Sequence, residues 1–254
     1  MPWQKTYDGA EPQRVNKWLA SEGVCSRREA EELIAKGLVR IDGERVDDPG
    51  RKIAPGQAIE VGEARARPQL SVLINKPVGI VSAQPEGDQI PAARLLTRTA
   101  LVGKPTNMPT KRTRLAPLGR LDQDSRGLLL LSEDGVLAKA VIGPESKLDK
   151  EYLVRVEGRI TDKKLALLRH GLMLDGRQLK PAKIEQVEPH RLRFTLSEGR
   201  NRQIRRMCEL VELEVVDLLR VRIGPLSLGD LPEGKWRLLT DEERNRLIKE
   251  SKPY

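Results

Sequence analysis

The sequence predicts an α+β protein in two parts, a small N-terminal unit and a larger domain of strands and helices joined by hairpin-type turns. Three observations carry this. Short apolar runs alternate with period two, at Tyr152, Val154 and Val156 and again at Leu192, Phe194 and Leu196. Helical spacing occurs in separate blocks, at Val15, Trp18 and Leu19 and at Ile204, Met207, Cys208 and Val211. A polar stretch, "EARARPQ", separates the two parts.

Residues 1–13 are polar, contain Pro and Gly, and read as a loose arm. The first unit spans 14–62. Its first helix stops near Gly23. Ser26 and Glu29 form an S-x-x-E capping box, with Ala30, Leu33 and Ile34 as the apolar face behind it and Gly37 placed to end the helix. Val39 and Ile41 alternate as a strand into an Asp42-Gly43 hairpin turn. Ile53, Ile59 and Val61 suggest further short strands. After the linker at 63–69, the larger domain runs over 70–248 and a tail over 249–254. "LSVLINKP" reads as a buried strand halted at Pro77, and "RGLLLLSEDG" as a second with a turn at Asp134-Gly135. "EYLVRVEG" and "RLRFTLSEG" follow as strands, then "NRQIRRMCELVE" as a helix. The segment Ala100–Arg114 is basic and lacks an apolar period, so it reads as a surface loop. A disordered insertion or a basic finger on phosphates would both fit.

The 254 residues carry a net charge of +9, with 38% hydrophobic and 33% charged residues. On charge alone, a nucleic-acid partner and a merely basic protein both remain open. Cys25 and Cys208, the only cysteines, stand far apart without a CxxC, which argues against a zinc site or a disulfide framework. No apolar run approaches a membrane span, and a cytoplasmic protein is expected. His170 and His190 have no partner in sequence, and no glycine-rich phosphate loop is present, so no nucleotide cofactor is expected.

Arg14, Lys17, Arg27, Arg28 and Lys36 crowd the first two helices, which suits phosphate neutralisation as well as a solvated helix face. In "GRLDQDSRG", Asp122 and Asp124 stand between Arg120 and Arg126. Turn chemistry, a metal-binding DxD pair and a nucleophilic carboxylate are all open for them. An arginine beside such a carboxylate would keep it ionised. Arg200, Arg202, Arg205 and Arg206 could supply one, or form a phosphate surface. Phe194 reads as core. Tyr152 is either core or a platform for an extruded base.

Taken in order, "RVNKWLASEGVCSRREAEELIAKGLVRIDG", "LINKPVGIVS", "GRLDQDSRGLLLLSEDG", "KEYLVRVEG", "EGRNRQIRRMCE" and "RVRIGPLSLGDLPEGKWRLLT" resemble the RsuA-type pseudouridine synthases of ribosomal RNA, and most of all a large-subunit member. The resemblance runs from Arg14 to about Glu243. It implies a small S4-type α/β RNA-binding unit followed by a catalytic domain with a mixed, mainly antiparallel sheet, which isomerises a uridine without metal, cofactor or ATP. Residue by residue, it implies Asp122 as nucleophile, Asp124 in support, Tyr152 stacked on the target base and Arg205 paired with Asp122. Lys76 and Arg120 would position phosphates or structure, and Arg202 and Arg206 would add RNA contacts. The implied partner is 23S ribosomal RNA, bound by a monomer. A neighbouring uridine, 16S or transfer RNA, and a non-catalytic RNA clamp are the alternatives. Two departures stand out. The 100–114 segment is longer and more basic than the corresponding loop. Glu212 stands where the family has a helix-ending glycine, so the helix is expected to end differently.

Overall fold

The computed structural model describes residues 3–62, 69–104, 108–110, 113–170 and 172–251. The expected linker at 63–68, the basic residues Lys111 and Arg112, and the end of the tail at 252–254 lie outside them. The chain forms two compact units, Met1–Gln69 (grouped with Asp134–Val136) and Leu70–Glu133 with Leu137–Tyr254.

In the first unit, helices α1 (Val15–Ser21) and α2 (Arg27–Ala35) pack with a four-stranded antiparallel sheet. Its strands run in the order Trp3–Thr6, Ala58–Val61, Val39–Ile41, Glu44–Arg45. The capping box forms: Ser26 accepts from the Glu29 N–H, and the Glu29 side chain accepts from the Ser26 N–H. Asp42 and Gly43 both take positive φ, the geometry that a two-residue hairpin turn needs.

The expected loose arm needs correction. Trp3–Thr6 pairs along its length with Ala58–Val61. Tyr7 is buried, and its ring meets Trp18 edge-on with centroids 5.6 Å apart. An edge strand needs only one face anchored, and two aromatic side chains suffice. Gln4, Lys5 and Thr6 are exposed and give the segment its polar composition.

The second unit is a nine-stranded sheet. Its main path is Lys183–Glu188, Arg191–Leu196, Lys150–Glu157, Glu214–Ile223, Arg126–Ser132, Ser71–Lys76 and Trp236–Leu238. Neighbours on this path are antiparallel except Arg126–Ser132 with Glu214–Ile223, a parallel contact of two registered pairs, Arg126 with Leu219 and Gly127 with Arg220. Gly127 has φ +103°, and a Cβ there would stand 2.4 Å from the Arg220 carbonyl, so only glycine allows this approach.

The run of four leucines is continuous because both faces of its strand are covered. Leu128 and Leu130 enter one cluster with Leu73, with Leu137 and Val141 of α3 (Gly135–Ile142) and with Leu247 of α6 (Asp241–Glu250). Leu129 and Leu131 enter another with Val72, Ile74 and Trp236. Phe194 is fully buried in a third, beside α4 (Asp162–Arg169) and α5 (Gln203–Glu209). The start of the basic segment docks on the edge strand: Val102 N–H donates to Trp236 O at 2.8 Å.

Helix α5 ends in the manner that a glycine would give. Glu212 itself takes φ +54°. The Leu213 N–H donates to Cys208 O at 2.9 Å and the Glu212 N–H to Glu209 O at 3.0 Å, the paired bonds of a Schellman motif. The expectation of a different ending is therefore corrected. Satisfying the last carbonyls outweighs the left-handed cost of a non-glycine residue.

Candidate active site

A cavity of about 480 Å³ opens in the second unit. One wall is the Gly119–Asp122 loop, another the strand bearing Lys150 and Tyr152, and a third the Ser197–Arg205 turn into α5. Basic residues along it outnumber the acids Asp122 and Glu198.

The loop carrying Asp122 is held from two sides. Arg220, only 2% exposed, donates Nε to Leu128 O at 2.7 Å and Nη2 to Gly119 O at 2.9 Å. From the other side, Ser82 Oγ donates to Leu121 O at 2.7 Å and accepts from the Leu121 N–H at 2.8 Å. Gly79 N–H donates to Gln123 O at 2.8 Å. Residues 119, 121 and 123 are thus all pinned, and Asp122 stands among them. Its carbonyl closes the turn by accepting from Ser125 N–H at 3.1 Å. Turn geometry and a carboxylate open to the cavity therefore coexist at one residue.

The two aspartates have different surroundings. Asp124 is gripped by Arg202, whose Nη2 and Nη1 donate to its carboxylate at 2.8 and 3.2 Å. Arg205 Nε lies 3.2 Å from Asp124 Oδ2 without hydrogen-bond alignment, and its Nη2 donates to Asp124 O at 2.8 Å. Partial burial pushes the Asp124 carboxyl up. The Arg202 hydrogen bonds and the charges of Arg205 and Arg202 outweigh it and hold the group below the usual range. Among the described residues, Asp122 has an ion pair with Arg202 alone, at 3.6 Å. The expected Arg205–Asp122 pair is corrected: Arg205 pairs with Asp124, because its guanidinium is also held by Val215 O at 3.0 Å. Arg202, in left-handed backbone with φ +48° at the start of α5, is the residue that bridges both acids.

Tyr152 lines the cavity, half-buried between two apolar clusters. Arg120 lines the same cavity and is exposed. Two expected RNA contacts are not placed for that role. Lys76 is fully buried, and its Nζ donates to Pro77 O at 2.9 Å and Ile80 O at 2.7 Å, so it shapes the loop that carries Gly79. Burial pushes its ammonium down to about 8, against the pull of Asp124 and Asp122. Arg206 is turned to Asp175, with bonds of 2.6 and 3.0 Å. In the first unit, Arg14, Lys17, Arg27, Arg28 and Lys36 are all exposed. The sequence reading missed Ser82, Arg220 and Lys150 as parts of the site. The period-two register of "KEY" was the available signal for Lys150, since it puts Lys150 on the Tyr152 face. Among the described residues, no cluster of three or more His, Cys, Asp or Glu is arranged to hold a metal ion. No helix among them is long and apolar enough to cross a membrane.

Residues 70–210 match the family model described as RNA pseudouridylate synthase, and residues 13–59 match the S4 domain. The dual-specificity RNA pseudouridine synthase RluF of Escherichia coli strain K12 is 36% identical over 93% of this chain and 78% of its own length. The ribosomal large subunit pseudouridine synthase B of Bacillus subtilis strain 168 is 35% identical over 92% of this chain and 95% of its own. A crystal structure of a pseudouridylate synthase superposes with a TM-score of 0.65 at 28% identity, covering 92% of this chain and 99% of the other.

Proposed function

Because the chain belongs to the RNA pseudouridylate synthase family, we propose that it isomerises a specific uridine of 23S ribosomal RNA to pseudouridine with Asp122 as nucleophile. One observation supports Asp122 above all others. Asp124 is occupied by Arg202 and Arg205, whereas Asp122 faces the cavity with a single 3.6 Å approach from Arg202.

The reaction rearranges bonds within one nucleotide. The Asp122 carboxylate attacks C1′, the N1–C1′ bond breaks, and its electron pair leaves with the base as a uracil anion. The base turns in the cavity and C5 attacks C1′. The ester bond to Asp122 breaks, the carboxylate is regenerated, and the C5 proton is lost to solvent. In a glycal variant of this route Asp122 removes the C2′ proton, the base leaves as the same anion, and Asp122 returns the proton to C2′ when C5 bonds to C1′. The nucleotide must first leave its stack, at a cost of about a few kcal/mol. Tyr152 gives the extruded base a face to stack on. Arg205 and Arg202 neutralise Asp124, so that the Asp122 carboxylate does not face an unpaired second acid. Phosphate contacts from Arg14, Lys17, Arg27, Arg28 and Lys36, with Arg120 at the cavity, offset the cost of extrusion. On this reading the protein works as a monomer in the cytoplasm.

The test maps pseudouridine by carbodiimide labelling and reverse transcription across ribosomal RNA, in cells with and without the gene. One 23S stop should disappear without the gene, return with the wild-type chain and stay absent with Asp122→Asn. A lost stop in 16S or transfer RNA would correct the substrate. A restored stop with Asp122→Asn would overturn the nucleophile, and an unchanged map everywhere would favour a non-catalytic clamp.

A further inference from the structure

Lys150 opens the strand Lys150–Glu157, and its side chain lines the cavity beside that of Tyr152. Glu151, between them, turns to the opposite face and binds Arg222 at 3.0 Å. Among the described residues, the Lys150 ammonium makes no hydrogen bond and no ion pair. The charges that act on it are Arg220, which is like-charged, and Asp149. Burial and Arg220 both work against its charge. Arg220 lines the same cavity and bonds only to backbone carbonyls. A bulge in the strand Glu214–Ile223 sets Arg220 opposite Tyr152.

A half-buried lysine beside a buried arginine, with no acid between them, destabilises the resting protein. Such a pair makes chemical sense where an anion arrives. The reaction proposed above generates one in this cavity, and the present inference rests on that reading. Before attack, the negative charge sits on Asp122. After attack, Asp122 is a neutral ester, and the charge has moved to the oxygens of the detached base. Arg220 is pinned by its carbonyls and cannot follow that shift. Lys150 is on a flexible four-carbon stem with all three donors available. We propose that Lys150 is a further catalytic residue, whose ammonium contacts a carbonyl oxygen of the uracil anion while the N1–C1′ bond is broken. The arriving anion also favours the charged form of Lys150.

The test uses the full chain in single turnover on a 23S RNA transcript. Lys150→Met should slow the conversion about 100-fold, the usual effect of losing one preorganised donor to a developing anion. RNA affinity should stay at the wild-type value, and the urea unfolding midpoint should hold or rise, because the substitution removes one of two neighbouring like charges. Lys150→Arg, which keeps the charge, should recover most of the rate. A transcript carrying 5-fluorouridine adds the deciding readout, because fluorine at C5 blocks the final proton loss but not the bond exchange. Lys150→Met should slow formation of the enzyme-bound fluorinated species by the same factor. Wild-type turnover by Lys150→Met would overturn the proposal. So would a normal fluorinated species with lost uridine turnover, which would make Lys150 the base for the C5 proton instead. If Lys150→Met unfolds, Lys150→Gln carries the same comparison. A wild-type chain that converts no uridine would refute the reading of the preceding subsection, whereas a failure confined to the Lys150 variants refutes this inference alone.

Discussion

Replacing Ser82 by alanine tests whether the loop around Asp122 is rigid by design. Ser82 is 6% exposed and Leu121 7%, so the two groups they share are shielded from water. The hydroxyl donates to Leu121 O at 2.7 Å and accepts from the Leu121 N–H at 2.8 Å. Alanine leaves a buried donor and a buried acceptor unpaired at once. A buried unsatisfied group costs about 1–3 kcal/mol, so partial relaxation should leave a loss of about 2 kcal/mol for the pair. Asp122 is the next residue. With the Leu121 anchor gone, the loop on that side is held to the rest of the domain by the Gly79 bond to Gln123 alone. A displacement of about half an ångström there should lower kcat about 10-fold, since 1 Å can cost about 100-fold. The assay is urea unfolding followed by tryptophan fluorescence, paired with steady-state conversion of an RNA transcript. KM should hold, because Ser82 is buried and contacts no substrate. Ser82→Thr keeps the hydroxyl and should restore most of kcat. A stability change below about 0.5 kcal/mol, with kcat unchanged, would refute the argument, because it would place Ser82 among ordinary surface substitutions.

Two further outcomes follow from the backbone and from a buried charge. Glu212→Gly should raise stability by about 0.5–1 kcal/mol, because glycine carries no left-handed penalty at φ +54° and its extra unfolded-state freedom offsets only part of that gain. The exposed contact of Glu212 with Lys164 at 3.7 Å adds little against this, and a lower unfolding midpoint would contradict the assignment. Lys76 has its folded pKa lowered to about 8, while the unfolded value is about 10.4. Between these values the unfolded chain binds more protons, so stability should rise with pH across that window. Lys76→Met should abolish this rise when unfolding is compared at pH 7 and pH 10, and parallel pH profiles would show that Lys76 contributes no such dependence.

The elements most readable in the sequence were those with local causes. The Ser26–Glu29 capping box, the Asp42-Gly43 turn and the strand halted at Pro77 each depend on neighbours within a few residues. The edge strand at Trp3–Thr6 was hidden because its partner lies more than fifty residues away, and only Trp3 and Tyr7 mark its inner side. At the site, Asp122 and Tyr152 could be singled out by type and motif. The pairing of Arg205 could not, because which aspartate it meets depends on how α5 docks on the sheet, and Asp124 and Asp122 differ by two positions in a turn. Ser82 and Arg220 act through backbone carbonyls of other segments, a relation that leaves no pattern of its own in the chain. Burial of Lys76 was equally unreadable: a lysine at the end of a strand, next to proline, suggests solvent, and only the fold encloses it.

The strand order also imposes a schedule on synthesis. Every strand of the first unit's sheet finds its partners between residues 3 and 61, so that unit can complete itself while most of the chain is still being made. The strand Ser71–Lys76 emerges next, yet one of its two edges is covered only by Trp236–Leu238. The strand Arg126–Ser132 likewise meets Glu214–Ile223 across some ninety residues. The walls that hold Asp122, Lys150 and Arg202 therefore cannot close until nearly the whole chain has left the ribosome. A nascent chain would therefore carry the exposed basic helices of its first unit well before it carried the finished cavity.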